Sequence, residues 1–252
     1  MIASSASRFI PPSMVLGIIY MTTFTVPQLF SKVDELYSKN LIYYQESKAN
    51  FPNSNDIDMD LRVALFGIPG NVLVTYSIAV KLIETDLLNP MWWITNTIHR
   101  DKSEIDSFIQ MYLSTINQGY YVHYMSRIEW IIRNILVNIK PEACNNGSGD
   151  FKGIYDCLFT EINTKELIEI FDIARMLRNT IHNNGRYINR AEKDSPIFNF
   201  RGRTIQFIHG KVIEDATTFG LELIDEVLDA SHEIIYSPIL KSINKLKFVI
   251  EK

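Results

Sequence analysis

The sequence predicts a mainly α-helical protein, a helical bundle with one small β-hairpin before its last helix. Three observations predict it. Apolar residues recur at three- and four-residue spacing through most of the chain. Residues that start and stop helices bracket those stretches, and only one segment, Ile197 to Ile208, alternates apolar and polar residues around a turn. With 46% hydrophobic and 21% charged residues, the chain has the composition of a globular protein and not of a disordered one. Its 252 residues suffice for one large domain or two modest ones.

The first element is an uncharged run from Phe9 to Ser31 around Met14-Val15-Leu16-Gly17-Ile18-Ile19-Tyr20-Met21. Three prolines interrupt it, whereas a spanning helix needs about twenty predominantly apolar residues. It reads as a buried N-terminal arm or helix, and no stable membrane association is expected. Leu29, Phe30, Val33, Leu36, Tyr37 and Leu41 then mark an amphipathic helix from Pro27 to about Lys48, followed by a polar loop over Asn50 to Asp58. The apolar stretch Leu61 to Leu88 contains Gly67-Ile68-Pro69-Gly70, so its helix is expected to begin after that breaker. Met91-Trp92-Trp93-Ile94 reads as core.

Ser103 is a suitable N-cap for a long helix with Ile105, Phe108, Ile109, Tyr112 and Leu113 on one stripe. The pattern resumes from Ile128 to Leu136, with a break expected near Gly119. Pro141 to Gly153 reads as a flexible connection. Asn163 and Glu166 have the spacing of a capping box. The helix they open would bury Leu167, Ile170, Phe171, Ala174, Leu177 and Ile181 and stop at Gly185. After the hairpin at 197–208, a helix from Asp215 to Tyr236 buries Phe219, Leu223, Ile224, Val227 and Leu228, and Pro238 interrupts the tail. Two regions follow, an N-terminal helical one over 1–102 packed on the rest and a helical domain over 103–252.

Composition also narrows function. A net charge of −4 argues against a protein that coats nucleic acid with its whole surface. Cys144 and Cys157 are too few for a disulfide framework or a zinc site and read as reduced thiols of a cytoplasmic protein. No cofactor fingerprint and no metal-ligand spacing is present. Against this background the segment from Ile173 to Lys211 stands out, with eight Lys and Arg against two acids. A local basic zone on an acidic chain suits an anionic partner. The alternative is that its charges scatter onto different surfaces once folded.

Within that zone, Arg175, Arg178, Asn179 and His182 follow the i, i+3, i+4, i+7 rule and share one helix face. Histidine is the side chain that titrates near neutrality, so it can take a proton from a 2′-hydroxyl or give one to a leaving 5′-oxygen. An arginine beside it can neutralise charge growing on the phosphorus centre. No metal is required for that chemistry. The competing reading is a structural Arg-Asn-His hydrogen-bond cluster.

The run Arg175-Met176-Leu177-Arg178-Asn179-Thr180-Ile181-His182-Asn183-Asn184-Gly185 resembles the signature of the HEPN superfamily, an arginine followed after four to six residues by histidine. Many of its members add an Arg-Asn pair, a His-Asn pair and a glycine, then a short hairpin and a closing helix, the order found here from about 164 to 236. The likeness covers the C-terminal 150 residues or so and leaves the first hundred aside. It implies a metal-independent endoribonuclease without cofactors, a homodimer whose paired motif helices form a composite site on RNA. It also implies a toxin, phage-defence or stress role, with a cognate antitoxin or nucleotidyltransferase as partner. Carried over, Arg175 is the motif arginine, His182 the motif histidine and Asn179 the residue that orients them. Arg178, followed by polar Asn179, is the other candidate arginine, because Met176 stands where a polar residue is usual. Asn183, Arg186, Arg190, Arg201 and Arg203 would then line the RNA path. A non-catalytic helical module of the same type, binding nucleic acid or a protein, is the alternative.

Overall fold

A computed structural model of the chain describes residues 25–51, 59–98, 101–188, 195–213 and 216–249. The expected architecture is present: eight α-helices and one two-stranded antiparallel hairpin among the described residues. Of the Phe9 to Ser31 run, residues 9–24 lie outside the described residues.

Helix α1 (Val26–Asn50) starts at Thr25, whose hydroxyl accepts from the Gln28 N–H while the Gln28 side chain accepts from Thr25 N at 2.9 Å. Leu29, Val33, Leu36 and Asn40 form its buried stripe, facing α2 (Leu61–Leu82). Helix α2 does not wait for the breaker. It is capped by Asp60 and runs straight through Gly67-Ile68-Pro69-Gly70. The glycines serve packing and not a turn. A Cβ on Gly70 would lie 2.4 Å from Asn40 Nδ2, so a side chain there would push the Asn40 amide out of its place between α1 and α2. Asn40 in turn donates to the Phe66 carbonyl at 3.1 Å, in the turn that Pro69 weakens by lacking an N–H. By length and composition the run Leu61–Leu87 could cross a membrane, and 61% of its most apolar window is buried within the bundle.

A π-helical turn (Ile83–Leu87) leads to the short α3 (Pro90–Asn96), where Trp93 is buried but Met91 and Ile94 are exposed. Helix α4 (Lys102–Ile139) is one unbroken rod about 57 Å long at 1.5 Å per residue. Its cap is Asp101, which accepts from Ser103 N and Glu104 N, and not Ser103. The expected break at Gly119 is absent, because the turns on either side are held by packing against α2, α6 and α7. After a turn at Lys140 to Gly149 the chain forms α5 (Phe151–Glu161), an element missing from the sequence reading.

A 3₁₀ turn (Lys165–Leu167) delivers α6 (Ile168–His182), with no side-chain cap. Asn163 adopts φ 59°, so the capping box at Asn163 and Glu166 does not form. Strands β1 (Ile197–Phe200) and β2 (Arg203–Gln206) pair Phe200 with Arg203 across Arg201-Gly202, both at positive φ. Helix α7 (Ala216–Tyr236) and α8 (Pro238–Ser242) complete the chain.

One continuous core joins α1 and α2 to α4, α5, α6 and α7, so the described helices before residue 102 share an interior with those after it. The extended tail after α8 closes it. Asn138 of α4 donates to the Lys247 carbonyl at 2.7 Å and accepts from Lys247 N at 3.0 Å, and Asn134 accepts from Val249 N at 2.8 Å. At the tail's start, Arg62 and Asp60 form an ion pair 1% and 0% exposed. Removing one partner of such a pair strands a buried charge. Asp60→Ala is therefore expected to lower the unfolding free energy by about 3–5 kcal/mol, read by urea denaturation; an unchanged midpoint would show that the pair does not fasten the fold.

Candidate nucleic-acid interface on helix α6

Helix α6 is amphipathic, with Phe171, Ile173, Ala174, Leu177 and Thr180 buried. Its register is fixed partly by Tyr121 of α4, whose hydroxyl donates to the Ala174 carbonyl at 3.0 Å. At its end, Gly185 at φ 78° donates to the Thr180 carbonyl at 2.8 Å, the glycine stop that the sequence announced. Arg175, Arg178, Asn179 and His182 occupy the outer face within an arc of about 100°. Asn179 and His182 are exposed and the two arginines half-buried.

The arginines are anchored differently. Arg175 donates through Nε to the Tyr155 hydroxyl at 3.2 Å and through Nη2 to Asp172 at 3.5 Å. Asp172 also accepts from the Tyr155 hydroxyl at 2.5 Å and from Lys152 at 3.1 Å. Burial above all, then the bond to Asp172, pushes the Tyr155 phenol far up, so it stays a neutral donor. Arg178 gives one Nη1 bond to Glu129 of α4, while its buried Nε finds no acceptor among the described residues. Glu129 accepts a second guanidinium from Arg133, at 3.0 Å through Nε. Arg133 reaches on to the Gly147 and Gly149 carbonyls at 2.8 and 2.5 Å. One carboxylate thus serves two cations, leaving a unit of positive charge at this edge.

The remaining residues of the basic zone are spread. Asn183 donates to the Asn179 carbonyl at 2.8 Å. Arg186 bridges to Val212 through its backbone and donates to the Gly210 carbonyl at 2.8 Å, with its side chain exposed. Arg201 instead binds Glu226 and Asp225, each at 2.7 Å, and Arg203 binds Glu222. These pairs fasten the hairpin to α7. Arg190 lies outside the described residues.

Glu129, Asp172 and Tyr155 are the site residues that sequence reasoning missed. Asp172 sits three residues before Arg175 and was legible as a helical pair. Tyr155 belongs to the unread α5, and Glu129 lies 49 residues from Arg178. Arg127, also on α4, bonds within its own helix. Its Nε meets His123 Nε2 at 3.0 Å, and burial together with the Arg127 charge lowers the His123 pKa, so this imidazole accepts in its neutral form. Among the described residues no group of three or more His, Cys, Asp or Glu is placed to hold a metal ion. Comparison with family models, curated proteins and solved structures gave no match.

Two outcomes follow from these pairings. Glu129→Ala removes the shared acceptor of Arg178 and Arg133 and is expected to lower stability by about 1.5–3 kcal/mol, checked by urea titration. Burial by itself would raise the Asp225 carboxyl, yet hydrogen bonds from Lys39 and Arg201 outweigh it and hold the group below the usual carboxylate range. A depressed folded pKa contributes stability that is present above the unfolded value near 3.9 and lost as pH falls through the folded one. Asp225→Asn should therefore flatten the acid limb of the stability profile; an acid limb as steep as that of the parent chain would contradict the pairing.

Proposed function

We propose that this chain is a metal-independent endoribonuclease of HEPN type, acting in the cytoplasm as a homodimer with a toxin, phage-defence or stress role. The single observation that carries the reading is the outer face of α6, where His182 and Asn179 stand in solvent beside an arginine anchored from behind. In the proposed reaction one imidazole takes the 2′-hydroxyl proton, and the alkoxide attacks the adjacent phosphorus. The 5′-oxygen leaves with a proton, giving a 2′,3′-cyclic phosphate. The arginine holds the non-bridging oxygens as their charge grows.

Two points support Arg178 over Arg175 as the partner of His182. Residues 178 and 182 are neighbours one turn apart, whereas 175 lies two turns, about 10 Å, from 182 along the axis. Arg175 also gives two of its nitrogens to Tyr155 and Asp172. Asn179 would orient the pair, and Asn183 and Arg186 would continue the RNA path. RNA is the proposed substrate, and a cognate antitoxin or nucleotidyltransferase the proposed protein partner.

One observation favours a second reading, a non-catalytic module that binds RNA or a protein. Arg178, Arg201 and Arg203 each already have a carboxylate partner, which reduces the field a phosphate would feel. Cleavage of labelled single-stranded RNA by the purified chain in a chelator separates the two. His182→Ala and Arg178→Ala, each folded by circular dichroism, should lose at least about a hundredfold in rate. Activity that survives both substitutions, or disappears with the chelator, would sink the nuclease. Salt-sensitive binding without cleavage would establish the module.

A further inference from the structure

The turn between α4 and α5 brings the two cysteines together. Cys144 Sγ and Cys157 Sγ lie 2.7 Å apart, both as free thiols and both half-buried. The contact is built rather than incidental. Cys144, Asn145, Asn146 and Gly147 all take positive φ, a left-handed run that folds the turn back over α5. Gly149 N donates to the Cys144 carbonyl at 2.9 Å, and Cys144 Sγ reaches the Gly153 carbonyl at 3.2 Å. Asp150 caps α5 through Gly153 N at 3.0 Å. Arg133 clamps the same turn from the α4 side at Gly147 and Gly149.

We propose that Cys144 and Cys157 are a redox modification site, a dithiol that closes reversibly to a disulfide when the chain meets a hydroperoxide. Oxidation gives up only the Cys144 S–H bond to Gly153; the rest of the frame is made by backbone groups, Asp150 and Arg133, so the sulfur–sulfur bond can form and break without refolding the turn. One thiol attacks the peroxide oxygen, giving a sulfenic acid and releasing water or an alcohol. The second thiol displaces hydroxide from that sulfur, and a second water leaves with its proton. Two thiols and one hydroperoxide thus become one disulfide, one water and one water or alcohol; a dithiol reductant reverses the change by exchange. Lys140, which is paired with Glu161, lies within electrostatic reach of both sulfurs, while the Asp150 and Asp156 charges add to the upward push on the Cys144 thiol. Burial first, then the hydrogen bond to Cys157, pushes the Cys144 thiol up to about 11, so at neutral pH Cys144 is protonated.

The consequence reaches beyond the turn. The ring closed by the disulfide contains both carbonyls that hold Arg133, and Arg133 shares Glu129 with Arg178. The oxidation state of the sulfurs therefore bears on how firmly that edge of α6 is held. This inference stands on the sulfur geometry and is independent of the ribonuclease reading.

The test uses the full chain, reduced, freed of reductant and treated with hydrogen peroxide at one equivalent under dilute conditions. Both titratable thiols should disappear together, the intact mass should fall by about 2 Da for the two hydrogens lost, and a proteolytic peptide should link Cys144 to Cys157. Dithiothreitol should restore both thiols. Amide exchange at 145–156 should slow in the oxidised chain relative to the reduced one. Cys144→Ser and Cys157→Ser should each keep one thiol and form no internal link. Persistence of both thiols while free cysteine in the same tube is consumed would overturn the proposal, as would a product consisting only of sulfinic acids or of chains joined to one another.

Discussion

Five N–H donors leave the Arg62 guanidinium, and each finds an acceptor inside the protein. Two go to the Asp60 carboxylate, at 2.8 and 2.7 Å, and three to the carbonyls of Leu240, Ile243 and Asn244. Asp60 is equally occupied, since it also accepts from Arg62 N and Leu246 N. Burying two charges costs several kcal/mol per ion, and only a fully satisfied network offsets that. The arrangement dictates much else. It fixes where α2 begins, brings residues 240–246 across that start, and seats the Phe51 ring against the guanidinium at 4.1 Å. With the tail in place, α2 is covered by α1 on one side and α4 on another. The N-terminal helices thereby become part of the same body as the motif helix.

How legible this was depended on whether the deciding contact was local. Most of the periodic stripes of α1, α4, α6 and α7, though not Leu41 and Tyr112, which are exposed, the hairpin and the Gly185 stop follow from neighbours a few residues apart, and they could be read. Gly67-Ile68-Pro69-Gly70 could not, because glycine signals a turn and a close helix approach equally well. Only the partner residue, Asn40 on α1, decides between them. Helix α5 escaped for the opposite reason. The Asn- and Gly-rich turn before it extended the impression of a loop over Phe151 to Gly153, although Asp150 was a good cap.

The candidate site shows the same division at the level of charge. Arg175 and Arg178 were visible in sequence and their common face followed from spacing. Of its anions only Asp172 was legible, since Glu129 and the α7 carboxylates come from segments outside the basic zone. Counting charge along the chain therefore overstated the positive field around the hairpin. It understated the order of the arginines, because a guanidinium braced by a carboxylate is held in a fixed orientation. That bracing also makes the surface less cationic, so any anion that docks there competes with Glu129 for Arg178. His182 and Asn179 face no such competition among the described residues.

The tail on α4 has a geometric consequence of its own. Asn134 and Asn138 are one helical step of four residues apart, a rise of about 6 Å at 1.5 Å per residue. Their partners Val249 and Lys247 are two residues apart in extended chain, about 6.6 Å at 3.3 Å per residue. The two repeats nearly coincide, so a helix and an extended segment share a common ruler, with side-chain amides standing in for the neighbouring strand that the tail lacks. A slip of one residue would present the backbone with its donors and acceptors reversed in direction. The spacing of two asparagines thus encodes the alignment of a segment more than a hundred residues away.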